Sequence, residues 1–320
     1  MPDTRQLLVV ALGGNAISAP DRRGTIEEQF AQTQKTARFL AEAVVAGYQL
    51  VLTHGNGPQV GNVMRRVELA RTELYPLPLE VCVADTQAGM GYMIAQCLMN
   101  ELIERDRPQS ISTIVTSVLV DRLDPAFLNP SKPIGPRLIR NVAEAHRLVD
   151  GWHIQEEGPE IFRRVVPSPK PRDILEINTI RRIVEDGEHV ICCGGGGIPV
   201  YLDEAGRYQG AAAVIDKDLT TSLLARELGV STVVILTGTE YVCLDFGTLT
   251  QRTLTQLTLP EAERYLVEDQ FGAGSMRPKI EAAIDFLTHS RAEEPQVIIA
   301  DLNRFSEALA GTSGTRIVRQ

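Results

Sequence analysis

Lysine is scarce in this chain: Lys35, Lys132, Lys170, Lys217 and Lys279 are all of it, against many arginines. Three of the five stand in distinctive surroundings: Lys132 in "PSKPIG", Lys217 in "AVIDKDL" and Lys279 in "GSMRPK". An ammonium is a compact point charge, whereas a guanidinium is a broad fork, so lysines kept at such places suit phosphate oxygens. One lysine at a helix start would be a solvated surface charge; three in such contexts favour a site. Lys217 lies between Asp216 and Asp218. One aspartate can cap the helix that begins there, and the other can hold ammonium groups in position or help to bind a metal. No nucleophile and base stand out as a pair. Phosphoryl transfer suits that absence, because positioning and charge stabilisation carry most of its catalysis. His54, just before "GNGP", fits packing or hydrogen bonding as well as chemistry.

Four glycine-rich segments stand where apolar runs end: "LGGNAI" (Leu12 to Ile17), "THGNGPQVG" (Thr53 to Gly61), "CGGGGIP" (Cys193 to Pro199) and "FGAGSMRPK" (Phe271 to Lys279). In open α/β sheets ligands bind beyond the carboxyl ends of the strands. Glycines there let backbone N–H groups approach an anion, and a following helix adds its positive N-terminus. Several such loops at one sheet edge favour a phosphate or carboxylate site over simple turns. The standard fingerprints are absent. No GxxxxGK[ST] occurs, and "GNGPQVG" misses the GxGxxG spacing of dinucleotide enzymes, which argues against a P-loop protein and against an NAD enzyme.

Positioning these residues is the task of short valine- and isoleucine-rich runs: Leu7 to Leu12, Leu50 to Thr53, Thr113 to Val120, Val190 to Cys193, Thr232 to Thr237 and Val297 to Ala300. Runs apolar on both faces suit strands covered by helices on both sides. Between them, "DKDLTTSLLARELG" predicts a helix with Asp216 as N-cap and Gly229 as terminator. "GSMRPKIEAAIDFL" predicts another, capped by Ser275. The alternation predicts an α/β layered fold with a mainly parallel sheet. From Asp121 to Pro171 prolines are dense, which disfavours a central strand or a long helix. This segment of about 121–171 is expected to be a small inserted subdomain, packed on Phe127, Trp152 and Phe162, rather than a long loop. "VYLDEAGRYQG" reads as a β-hairpin at the edge of the sheet.

A net charge of −9 argues against a nucleic-acid binder. No apolar run reaches the length that spans a bilayer, and the start does not read as a signal peptide. The five cysteines form no CxxC pair and read as free thiols in a reducing compartment, so the expected location is the cytoplasm.

"VVALGGNAI", "THGNGPQVG", "DRLDPAFLNPSKPIGP", "RRVVPSPKP", "GGGGIPV", "AVIDKDL" and "GSMRPKIEAAIDF", in that order, resemble carbamate kinase, of the amino acid kinase superfamily. The resemblance implies a three-layer αβα sandwich around a mostly parallel sheet, forming one kinase-type domain over 1–320, with a protruding subdomain and a homodimer. It also implies reversible phosphoryl transfer between ATP and carbamate, giving ADP and carbamoyl phosphate, with Mg2+ and no assigned protein ligand for the metal. The direction expected of the family is toward ATP, in nitrogen or arginine catabolism. Carried over, Gly13, Gly14 and Asn15 would cradle the transferred phosphoryl group, with Gly55 and Asn56 beside the carbamate. Lys132 would reach in from the subdomain. Lys217 and Lys279 would neutralise phosphate charge, and Asp218 would hold the lysines in register. Gly195, Gly196, Gly274, Ser275 and Met276 would form the nucleotide side. The chain departs from the family pattern at Gly238 to Val242, where an acidic, valine-containing run is usual. It departs again at Arg277, where glycine is usual and bulk and charge now stand beside Lys279, and at the more basic "RLIRNVAEAHRL". Two rivals follow: a paralogue acting on another small carboxylate or carbamoyl compound, and a catalytically weak ligand sensor that keeps the fold.

Overall fold

A computed structural model of the protein describes residues 6–18, 24–272 and 276–320. First come β1 (Gln6–Leu12), α1 (Ile26–Val45), β2 (Tyr48–His54), α2 (Gly57–Ala70), α3 (Leu79–Glu104), β3 (Ile111–Thr113) and β4 (Ser117–Val120). Next are β5 (Lys132–Ile139), α4 (Arg140–Asp150), β6 (His153–Gly158), β7 (Ile161–Val166), β8 (Pro171–Ile174), α5 (Ile177–Glu185) and β9 (His189–Ile191). Then follow β10 (Ile198–Leu202), β11 (Tyr208–Gly210), α6 (Lys217–Leu228), β12 (Thr232–Thr237), β13 (Val242–Leu244), β14 (Arg252–Leu254) and β15 (Gln256–Thr258). The last are α7 (Leu259–Val267), α8 (Arg277–His289), β16 (Gln296–Asp301), α9 (Phe305–Leu309) and β17 (Thr315–Val318).

The central sheet runs β15-β17-β16-β12-β1-β2-β9-β3, and every pairing is parallel except β16 with β17. β1 shows why its sequence is apolar throughout. Side chains alternate across a strand. Leu8, Val10 and Leu12 enter a core with Leu40 of α1 and Ile94 and Leu98 of α3. Val9 and Ala11 enter the opposite core with Leu223 and Leu224 of α6 and Ile280 and Phe286 of α8. Leu8 to Leu12 are all fully buried, so the sheet is sandwiched between two helical layers, as expected.

Two sequence readings change. The run Thr113 to Val120 is not one strand: β3 ends at Thr113 in the central sheet, and β4 opens a second sheet ordered β11-β10-β4-β8. The hairpin β10–β11 belongs to that second sheet, not to the edge of the central one. The physical reason is the glycine quartet, which turns the chain out of β9 before β10 begins. The proline-dense segment carries more regular structure than its prolines promised. β5, β7 and β6 form a three-stranded antiparallel sheet with α4, and Trp152, Phe162 and Val165 are buried there. Phe127 packs on the main core instead. The expected Ser275 cap lies outside the described residues, and α8 begins after Met276 without a side-chain cap. Among the described residues no helix is long and apolar enough to cross a membrane.

Candidate active site

Parallel pairing brings three loops to one end of the sheet. Leu12, His54 and Leu236 are register partners at the carboxyl ends of β1, β2 and β12. The Gly13 N–H donates to the Leu236 carbonyl at 3.1 Å, and the Gly55 N–H donates to the Leu12 carbonyl at 3.2 Å. Beyond these ends lies an open cleft of about 380 Å³. Gly14, Asn15, Gly55, Asn56, Lys132, Gly195, Lys217, Asp218 and Lys279 of the expected site all line it. Gly13 and Gly196 shape the loops behind that lining. Met276 packs on the core, and Gly274 and Ser275 lie outside the described residues.

Asp218 organises the cations. Its Oδ1 accepts from the Lys217 ammonium, and its Oδ2 accepts from Lys279 at 3.0 Å. Lys217 is only 9% exposed and Asp218 only 3%. Burial pushes the Asp218 carboxyl up, but the two ammoniums outweigh it and hold the group well below the usual carboxylate range. Burial likewise lowers Lys217, and the nearby Lys279 charge adds to this, so Asp218 compensates it only in part. Lys279 differs in sign: burial opposes its charge, yet Asp218 raises it overall. A site with more cationic than anionic charge, out of water, calls for an anion.

Two helix N-termini point the same way. Asp216 caps α6, its Oδ1 accepting the Asp218 N–H at 2.8 Å, as the sequence predicts. At α2 the N-cap Asn56 makes no cap bond; its amide donates to Thr86 Oγ1 at 3.0 Å instead. The first-turn N–H groups of α2 are therefore left without a side-chain acceptor beside the cleft, where a helix N-terminus favours negative charge.

The glycine quartet is explained by proximity on every side. A Cβ at Gly194 would lie 2.3 Å from His54 Nε2, at Gly195 2.2 Å from Asn56 Nδ2, and at Gly196 2.5 Å from the Ile215 carbonyl. Gly195, Gly196 and Gly197 also have φ of +66°, +87° and +87°, which glycine alone adopts without strain. Gln87 of α3 secures the turn, donating to the Gly194 carbonyl at 2.9 Å and accepting from the Thr116 N–H. Sequence reasoning missed Gln87 because nothing in a helical run marks one polar residue as a brace. It also missed Arg163 of β7, which lines the cleft, and the second role of Asp216, whose Oδ2 accepts from Lys132.

His54 is a buried neutral imidazole: burial lowers its pKa from the ordinary 6.5 to about 4. Its Nδ1 lies 3.1 Å from the Gly55 carbonyl, which makes Nδ1 the protonated nitrogen. Between pH 6.5 and about 4 the unfolded chain binds a proton that the folded chain refuses, so stability falls as pH drops through that window. The full loss is about 3 kcal/mol, reached only below the folded pKa. Thermal melts from pH 7 to 4 should show this slope, and His54→Asn should flatten it; an unchanged slope would refute the assignment.

The departures at Arg277 and Gly238 to Val242 engage partners within the fold, although Gly238 itself abuts the cleft, where a Cβ would lie 2.5 Å from Asn15 Nδ2. The Arg277 guanidinium donates to Asp269 and to Glu281, each at 3.0 Å, along the start of α8. Glu240 accepts from Ser313 at 3.0 Å, and the Val242 N–H donates to Thr315 at 2.8 Å.

The sequence profile of the amino acid kinase family matches residues 6–301. The chain is 41% identical over 312 residues to a carbamate kinase of Pyrococcus horikoshii, covering 97% of this chain and 98% of that one. It is 43% identical over 318 residues to a carbamate kinase-like protein of Escherichia coli, with 98% and 99% covered. A solved structure, carbamate kinase from Giardia lamblia bound to AMP-PNP, superposes with a TM-score of 0.89 at 36% identity, with 99% of each chain covered.

Proposed function

The chain belongs to the amino acid kinase family, and on that premise we propose that it is a carbamate kinase, catalysing ATP + carbamate = ADP + carbamoyl phosphate in both directions. The observation that carries this reading is the buried Lys217–Asp218–Lys279 cluster facing the glycine loops across one cleft. Moving a phosphoryl group between two anions requires charge neutralisation and alignment more than covalent help. Lys217 and Lys279 serve the phosphate oxygens, with Asp218 fixing both. Gly13, Gly14 and Asn15 surround the group in flight, Gly55 and Asn56 meet the carbamate, and Lys132 approaches from β5. Gly195 and Gly196, with Gly274, Ser275 and Met276, serve the nucleotide. Within the expected span of about 121–171, the three-stranded sheet of β5, β7 and β6 with α4 serves as a lid carrying Lys132.

Magnesium does not find a ready protein site. Among the described residues no group of three or more His, Cys, Asp or Glu is placed to hold a metal, and Asp216 and Asp218 already serve lysines. With Asp216 and Asp218 committed to lysines, magnesium would arrive on the nucleotide phosphates and keep its waters. A homodimer would cover Leu69, Leu74, Tyr75 and Tyr92, which the region from α2 to α3 leaves exposed; sedimentation velocity tests it.

The deciding experiment is ATP formation from ADP, magnesium and carbamoyl phosphate by the purified protein. Rapid turnover supports the reading. Nucleotide binding without turnover would replace it with a paralogue or sensor. Because Arg277 is committed to Asp269 and Glu281, Arg277→Gly should leave the nucleotide KM within about threefold. It should cost no more than about 1 kcal/mol, the scale of exposed pairs. A large fall in nucleotide KM would show that Arg277 obstructs the site after all.

A further inference from the structure

Asp216 is tied in two directions. Its Oδ1 holds the Asp218 N–H at the start of α6, and its Oδ2 accepts the ammonium of Lys132, the first residue of β5. Its carbonyl accepts the Thr220 N–H at 3.1 Å, and Thr220 Oγ1 donates to the Gly196 carbonyl at 2.9 Å. Asp216 thus sits on a fixed frame, and because the Lys132 backbone is paired with Val166 of β7, the freedom that remains is that of the Lys132 side chain. The pairing of β5 with β7 shifts register between Ile134 and Leu138, so the two ends of β5 are not held by one continuous ladder. Near that shift the backbone of Gly135 rests on α2, where a Cβ at Gly61 would lie 2.1 Å from it. This contact seats the strand but leaves the long side chain of Lys132, 26% exposed, free to turn to solvent.

We infer that Asp216 is a positioning residue of the phosphoryl-transfer site, holding the Lys132 ammonium over the N-terminus of α6 so that Lys132 and Lys217 address one anion. This rests on the kinase reading. Without Asp216, three ammoniums share the single carboxylate of Asp218, and the most exposed of them, Lys132, is the one that like-charge repulsion sends outward.

Asp216→Asn separates the two roles. Asparagine caps a helix about as well as aspartate but carries no charge for Lys132. The expected result is a rise of about tenfold in the carbamoyl phosphate KM, with the ADP KM changed less than about threefold. In a Lys132→Met background the same substitution should add nothing, as expected for two residues acting as one unit. Equal effects in both backgrounds, a parallel rise in the ADP KM, or no effect would each overturn the inference. A second readout does not depend on turnover. Asp216→Asn and Lys132→Met should each speed hydrogen exchange over 128–139 while 219–228 in α6 stays protected. Unchanged exchange at 128–139, or fast exchange in α6, would also overturn it. If the unmodified protein makes no ATP, the kinase reading falls and the exchange result alone decides the role of Asp216.

Discussion

Lys217→Met is expected to lower kcat for ATP formation by about three orders of magnitude, the scale seen when a preorganised charge at a transition state is removed. The fold should survive. Burial lowers the Lys217 pKa, which means that its ammonium is less comfortable in the folded protein than in water. Removing it recovers that penalty, and the methionine fills the space of the aliphatic stem. Asp218, however, loses the stronger of its two cations and keeps only Lys279 at 3.0 Å, so the two effects oppose each other. The thermal midpoint should therefore stay within a few degrees of the parent, measured alongside turnover. A cation that the fold tolerates rather than needs is what a functional charge looks like. Near-parental turnover would refute the role of Lys217, and collapse of the fold would refute the electrostatic balance proposed for it.

Asp218→Asn should do the opposite to stability. It leaves Lys217 and Lys279 buried beside one another with no carboxylate between them. Stripping one partner from a buried ionic cluster costs about 3–5 kcal/mol. The sign of the pH dependence follows. With Asp218 gone, both lysines have folded pKa values depressed below the unfolded value of about 10.4, so stability is lost at low pH and returns as pH rises toward it. Melts at pH 7 and pH 9.5 should thus converge on the parent at the higher pH. Inorganic phosphate should also raise the midpoint of Asp218→Asn more than that of the parent, because it replaces the missing negative charge. A variant as stable as the parent at pH 7, or indifferent to phosphate, would show that the cluster is not the cationic anion site described.

Much of the site was legible because it obeys local rules. The glycine loops end apolar runs, and Asp216 precedes a helical pattern with Gly229 at its close, so the α6 cap followed from capping chemistry alone. Other features were not legible. Asn56 looks like an N-cap of α2 but donates to Thr86 of α3, a choice that depends on how α3 packs. Arg277 looked like an intrusion beside Lys279, yet Asp269 and Glu281 draw it aside. The split of Thr113 to Val120 between two sheets depends on where β9 and β10 lie, and no local periodicity encodes that.

The sequence by itself determined the layered α/β class, most strands of the central sheet, helices α6 and α8, and the set of lysines, aspartates and glycines proposed to meet phosphate. These follow from burial, backbone freedom and capping, which act over a few residues. Only the tertiary structure decided the partners. Lys132 meets Asp216 across 84 positions, and Lys279 meets Asp218 across 61. Charges attract without regard to sequence order, so which ammonium claims which carboxylate was settled by the parallel strand order and by the packing of β5 on α2.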